Sequence, residues 1–498
     1  MRKLLLASVA MLGASSGLAF AQESAATFAP TQGMTSMPAS PTPPASSFTA
    51  SNAYGNVVGH VGGAAYGMYK PPSPGTITIH LGGKVQVDVV SQWSTNNQIL
   101  GAKTNPISVN SYMRLYPGVD GMATNGLRYG ASIELRENFP GSTAQPTPAL
   151  TPAAPSGSTY TSGQTVFVRR AFAYLANDNL GIVRIGNTDG VIGLFDPGIF
   201  TSATWDAGIG NFNGGTLQGT GVNGANAVPF VWLAQAGAEY GNAKIVYLTP
   251  QFFGFDFGVQ YAPSMGNGNS ACTTAGAANC NSTTTGADAT RWYNQVGVGA
   301  RYQGVFGPLA VGAYAFYETA GKESFFGPAV SFGRGVTGNK FDNLSFVNAG
   351  LYTTFDTGMG KLTAAAAYNG GAVNGQLAMR PTGGATQNAV VTGLTYNNGP
   401  ITLGAEVGFV DSQGSNSLTG VSQRHEFEFA FGGNYNLAPG LYLVGEYQFE
   451  QRHQGGFDFI TGANGAGATG VAGTAGWKAG GTRDAHGQGI QFSVVVNW

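Results

Sequence analysis

The chain has 498 residues, of which only 9% are charged, 11% are aromatic and 79 are glycine, with a formal net charge of −1. Ordinary globular chains carry charge on about a quarter of their residues, so a string of soluble domains fits poorly, and no basic run offers a nucleic-acid surface. Mean hydropathy is near zero, which argues against a bundle of membrane helices but suits strands with one apolar and one polar face.

Met1-Arg2-Lys3, the apolar run Leu4–Leu12 and the small-residue site Ala19-Phe20-Ala21 have the layout of a secretory signal peptide, residues 1–21, cut before Gln22. After it no apolar run is long enough for a membrane helix. Residues 22–75 are rich in Pro, Ser, Ala and Gly, as in Met37-Pro-Ala-Ser-Pro-Thr-Pro-Pro44, and read as a flexible periplasmic leader that buries no core.

Strand patterning begins at Thr76. Ile77, Ile79, Leu81, Val85, Val87 and Val89 alternate with Thr78, His80, Lys84, Gln86 and Asp88. A period of two puts the first set on one face and the second on the other. A hairpin follows, Ser108–Met122 and Leu127–Glu137 around Ala123-Thr-Asn-Gly126, with Arg114, Tyr116 and Asp120 on the polar side. Six more hairpins can be traced: 165–187, 242–262, 291–318, 343–370, 386–410 and 421–452. The last strand, His486–Trp498, alternates Ile490, Phe492, Val494 and Val496 with polar or smaller partners and stops on an aromatic.

One opening strand, seven hairpins and one closing strand predict an all-β, sixteen-stranded transmembrane antiparallel barrel over residues 76–498. Its turns are short and its external loops long. An even count closes the sheet with no free edge, which hydrocarbon demands, and sixteen strands leave an aqueous lumen. Cys272 and Cys280 stand close together in one polar loop of an exported chain. A small disulfide is favoured over free thiols there, and a metal site would need more ligands.

The chain resembles the sixteen-stranded general porins of Gram-negative bacteria over about residues 76–498. The resemblance is carried by Tyr112-Met-Arg-Leu-Tyr116 through Asn125-Gly126-Leu127 to Ile133-Glu-Leu135, by Arg169-Arg-Ala-Phe-Ala-Tyr-Leu175, by Leu248-Thr-Pro-Gln-Phe-Phe-Gly-Phe-Asp-Phe257, and by the terminal aromatic Trp498. Trp498 is then the closure and assembly signal read by the outer-membrane assembly machinery, although the family more often ends on Phe. The leader departs from the family, whose mature chains enter the first strand almost at once. The resemblance implies a homotrimer set in bilayer and lipopolysaccharide in the outer membrane. It implies passive diffusion of small hydrophilic solutes and ions, with no cofactor, no metal and no chemical step. A loop-displaying surface barrel and a sugar- or anion-specific porin are the alternatives.

By the same resemblance the longest connection, 188–241, is the third external loop, which folds inward and narrows the pore. It carries Asp189, Asp196 and Asp206. Strand phase supplies the facing wall: with Phe172 and Tyr174 toward lipid, Arg169 faces water; with Val183 and Ile185 toward lipid, Arg184 does. Arg114, Arg128 and Arg136 join them on the polar faces of their strands. The expected constriction is therefore Arg114, Arg128, Arg169 and Arg184 against Asp189, Asp196 and Asp206. Such opposed charges set up a transverse field. Glu406, Glu426 and Glu446, with Glu428 and Glu450, are expected to line the lumen on strands thirteen to fifteen. His80 and His425 are read as lumen residues, neither ligands nor bases. The Gly-x-Gly-x-x-Gly matches at Gly219–Gly224 and Gly465–Gly470 neither follow a strand nor open a helix, and are loop glycines.

Overall fold

The computed structural model describes residues 73–94, 107–139, 166–177, 179–188, 190–195, 243–264, 292–322, 341–374, 379–414, 421–458, 463–464 and 483–498. The signal peptide, nearly all of the leader, Asp189, Asp196, Asp206, Cys272, Cys280 and both glycine motifs' key positions lie outside these residues.

The strands run in chain order as β1 Thr76–Ser94, β2 Ser108–Met122, β3 Arg128–Phe139, β4 Phe167–Asn177, β5 Gly181–Asn187 and β6 Ala243–Leu248. Next come β7 Phe255–Ser264, β8 Trp292–Phe306, β9 Leu309–Lys322, β10 Leu344–Asp356, β11 Lys361–Ala372 and β12 Gln387–Asn398. The chain continues with β13 Ile401–Ser412, β14 Arg424–Ala438, β15 Leu441–Gln454, the two-residue strands β16 Phe457–Asp458 and β17 Ala463–Asn464, and β18 Asp484–Asn497. Among the described residues one short helix, α1 Val191–Phe195, follows β5. Sixteen strands, β1–β15 and β18, form one closed barrel in which every neighbour pair is antiparallel. The small β16–β17 ribbon stands apart from it and was not anticipated by the strand pattern.

Closure is made where the last strand meets the first. Lys84 pairs with Asn497 and the ladder runs on to Ser94 opposite Gly487. Trp498 extends it by donating from its N–H to Gly83 O at 3.1 Å and accepting from Gly83 N–H at 3.0 Å. Along the seam, from Gly83 to Ser94, β1 is paired with the closing strand. In hydrocarbon an unmet backbone group costs several kcal/mol. Gly83 is also the seat of the indole: a Cβ there would stand 2.1 Å from the Trp498 ring.

The two faces of the sheet invert the order of a soluble protein. Lys84, Gln86, Asp88, Arg114, Asp120, Glu134, Arg184 and Glu318 are buried on the inside, while Ile79 is 80% exposed and Phe492 63% exposed on the outside. Large apolar side chains at every second position outward and polar ones inward are what a barrel set in lipid requires. Among the described residues no helix is long and apolar enough to cross a membrane.

The connections keep the expected asymmetry. Ala123–Leu127 and Asn177–Leu180 close hairpins in a few residues, held by Ala123 N–H to Leu127 O at 2.8 Å and Leu180 N–H to Asn177 O at 3.1 Å. Long connections emerge from the opposite rim, the external one in such barrels.

Candidate functional site on the inner wall

The inner wall is unevenly charged, with Asp88, Asp120 and Glu134 standing among the more numerous cations of β1–β6. Over β1–β6 it carries Lys84, Arg114, Arg170, Arg184 and Lys244, all buried on the inner face. Lys84 lies directly across from Arg114. Arg184 faces Tyr174 across the ladder, and its guanidinium lies 5.2 Å from the centre of the Phe172 ring. Arg170 Nε donates to Glu134 Oε2 at 2.5 Å.

Arg114 and Arg184 therefore stand on the inner face as the strand phase implied, 0% and 4% exposed. Arg128 opens β3 beside a short turn and is half-buried at that end of the wall. The orientation of Arg169 is outside what is described, but the phase used to assign it is overturned. Phe172 and Tyr174 lie on the inner face, 8% and 5% exposed. The reason is local. Glu134 pairs with Arg170 and Leu135 with Val168, so Arg169 is the unpaired residue of a bulge, and a bulge shifts the alternation by one. Phe172 and Tyr174 fill inner-wall space, Phe172 beneath Arg184 and Tyr174 donating its hydroxyl to Asp120 Oδ1. His80 shares that carboxylate, its Nε2 lying 2.7 Å from Asp120 Oδ2.

Further round the barrel, with only β18 between β15 and β1, strands β13–β15 carry the opposite sign. Glu406, Glu426, Glu428, Glu446 and Glu450 are all buried on the inner face. Glu428 stands directly across from Glu450, again a like-charge pair. Arg452 bridges part of this group, with Nε 2.6 Å from Glu426 Oε1 and Nη2 3.0 Å from Glu450 Oε1. His425, by contrast, is exposed and faces outward, paired with Asp411. The period of two that turns Glu426 inward turns its neighbour outward, which corrects the lumen assignment.

A third group lies between the two arcs and was not read from the sequence. Arg301 on β8 donates from Nε and Nη2 to the two carboxylate oxygens of Asp256 on β7, at 3.1 and 2.5 Å. The same guanidinium reaches Leu194 O at 3.5 Å and lies 4.8 Å from the Phe195 ring centre. Val191 N–H donates to Gln260 Oε1 at 2.6 Å. Gln260 and Gln295 in turn donate to Glu318, Gln260 at 3.3 Å. These contacts hold α1 against the inner wall of β7–β9. Gly258 permits the approach, since a Cβ there would meet Val191 Cγ1 at 2.5 Å. The first residues after β5 thus turn into the barrel. Among the described residues no three His, Cys, Asp or Glu side chains are gathered as a metal cage.

A closed sixteen-stranded barrel with an apolar exterior and a charged interior defines the class: a membrane-spanning β-barrel channel. The profile for the Gram-negative porins matches residues 7–455, and the chain belongs to that family. It is an outer-membrane porin, a channel for the passive diffusion of small hydrophilic solutes. A search of curated proteins finds no match. Solved structures similar to it include the anion-selective porin from Comamonas acidovorans, at 18% identity and TM-score 0.46, covering 85% of this chain and 100% of that one. They also include the trimer form of OmpT, an outer membrane protein of Vibrio cholerae, at 12% identity and TM-score 0.45, covering 85% and 100%. A mutant Rh. blastica porin matches at 12% identity and TM-score 0.43, covering 84% and 100%.

Proposed function

We propose that the two charged arcs set the channel's selectivity by a transverse field. The basic arc is Lys84, Arg114, Arg170, Arg184 and Lys244; the acidic arc is Glu406, Glu426, Glu428, Glu446 and Glu450. Field lines running from one to the other order water and favour polar, dipolar solutes over apolar ones of equal size. In this reading Asp189, Asp196 and Asp206 add negative charge from the connection after β5, Arg169 adds to the basic side, and that connection narrows the pore. The observation that supports the reading is the excess of one sign on each arc among the described residues, five buried cations with Asp88, Asp120 and Glu134 on β1–β6 and five glutamates with Arg424 and Arg452 on β13–β15, and the like charges set opposite one another at Lys84–Arg114 and Glu428–Glu450. No group on this wall is assigned a chemical step.

The test is the zero-current potential in a salt gradient. Replacing Arg114 and Arg184 with Ser shifts it toward cation selectivity, and replacing Glu406 and Glu428 with Gln shifts it toward anions. Unchanged potentials in both pairs would remove these arcs from the permeation path.

The trimer and its insertion follow the family, while the leader and the disulfide rest on this chain's own sequence. Residues 1–21 are removed on export and 22–75 form a periplasmic leader. Three barrels associate in a bilayer carrying lipopolysaccharide, after insertion by the assembly machinery. Cys272 and Cys280 form a small disulfide. Mass of the detergent-solubilised particle by light scattering, and the N-terminus and thiol content of the mature chain, test these points separately.

A further inference from the structure

The chain has five histidines, and three of them, His425, His453 and His486, lie on the outer face of three neighbouring strands, β14, β15 and β18. Asp411 pairs across the ladder with His425, His425 with His453, and His453 with Asp484. An Asp–His–His–Asp row thus crosses four adjacent strands at their loop-side ends. Just below it the outer face turns aromatic: Phe409 and Phe427 are 5.1 Å apart and Phe429 and Phe449 5.4 Å apart, centre to centre. The row therefore sits where the apolar band ends, with its side chains about half exposed.

The internal geometry of the row is specific. His425 Nδ1 lies 2.5 Å from Asp411 Oδ1, and His453 Nδ1 lies 2.7 Å from Asp484 Oδ1. An ionised carboxylate only accepts, so each Nδ1 carries the proton and each neutral ring keeps its lone pair on Nε2. The two carboxylates flank the pair from outside, on β13 and β18. The two nitrogens of an imidazole point to nearly opposite sides of the ring, so with each Nδ1 on its flanking carboxylate each Nε2 is left on the side of the ring away from that carboxylate. The rings are nearly parallel, 21° between planes and 6.5 Å between centres. A carboxylate on the far nitrogen is the arrangement that orients a metal-binding imidazole and raises its basicity.

We propose that His425 and His453 form an open, two-imidazole site for a divalent transition-metal ion on the outer, loop-side rim of the barrel. Metal–nitrogen distances of about 2.0–2.1 Å require the two half-exposed, nearly parallel rings to tilt so that both Nε2 atoms reach one ion. Water fills the remaining positions, and His486, one register row below on the same face, is the nearest further imidazole. With neutral rings, Asp411 and Asp484 leave the row negative, which favours a cation over a phosphate. One oxygen of each carboxylate, Oδ1, is engaged by an imidazole N–H, and two imidazole nitrogens as ligands select zinc, nickel or copper over magnesium or calcium.

The experiment is calorimetric titration of zinc into the purified full-length mature protein in detergent at pH 7.5, with heat-modifiability on gels as the check on fold. Saturable binding of one ion per chain is expected above any background, lost in His425→Ala and in His453→Ala but kept in His80→Ala. Asp411→Asn and Asp484→Asn weaken it by about 10- to 100-fold. Absence of saturable binding, or binding unchanged in both His425→Ala and His453→Ala, overturns the proposal. So does preferential binding of inorganic phosphate to the row, which would make it an anion site.

Discussion

Replacing Arg301 with Met tests how α1 is held to the wall. In the native protein Arg301 and Asp256 are a buried pair, with side chains 7% and 1% exposed. The guanidinium satisfies both carboxylate oxygens and also reaches Leu194 O and the Phe195 ring. Methionine keeps much of the volume but strands Asp256 without its cation. Breaking a buried pair by removing one partner costs about 3–5 kcal/mol, most of it the penalty of the charge left behind. The double variant Arg301→Met with Asp256→Asn removes that stranded charge and recovers most of the loss in stability. It does not restore the hold on α1, which needs the guanidinium. The assay is twofold: the temperature at which the folded band is lost on gels, and single-channel current with its voltage dependence. Arg301→Met lowers the first and makes the second noisier. The double variant restores the first and leaves the second altered. If the single variant matches the wild type in both, or the double variant is less stable than the single, the account of this pair is wrong.

Three further outcomes follow from the fold. Gly83→Val drives a side chain into the space of the Trp498 indole, because a Cβ alone would stand 2.1 Å away; the yield of folded barrel in the membrane fraction should fall sharply while any barrel that forms conducts normally. Val494→Lys puts a charge on the outer face and Ser493→Lys puts one on the inner face of the same strand. The outward lysine costs about 2–4 kcal/mol if it lies near the bilayer midplane, so detergent-to-lipid refolding titrations should separate the two variants in that order. Glu134→Gln, removing the carboxylate 2.5 Å from Arg170 Nε, strengthens the basic arc, and the zero-current potential should move toward anions.

Much of the barrel was legible because lipid enforces a strict period. β2 was bounded to the residue, and the closing seam between β1 and β18 followed from an even strand count. Where both faces of a strand are apolar or mixed, the phase was hidden. In β6, Ala243, Ile245 and Tyr247 oppose Lys244, Val246 and Leu248, and nothing in that pattern singles out Lys244 as inward. In β4 the bulge at Arg169 broke the period inside a run of aromatics and alanines, and aromatics were assigned to lipid because that is their commoner place. Arg170 was lost with them. The Asp256–Arg301 pair could not be read at all, since it joins positions on two strands whose register is set only by folding. His425 could have been placed correctly: the inward reading of Glu426 and Glu428 already turned it outward. The clearest unused signal for the wall was the repeated charge at inner positions of adjacent strands, Lys84 and Arg114 among them.

The most direct measurement of the central claim is current through single molecules of the purified protein in a planar lipid bilayer. The account predicts discrete, ohmic steps that appear with insertion, whose zero-current potential in a salt gradient moves in opposite directions when Arg114 and Arg184, or Glu406 and Glu428, are neutralised. A folded, membrane-inserted barrel that passes no current would contradict it.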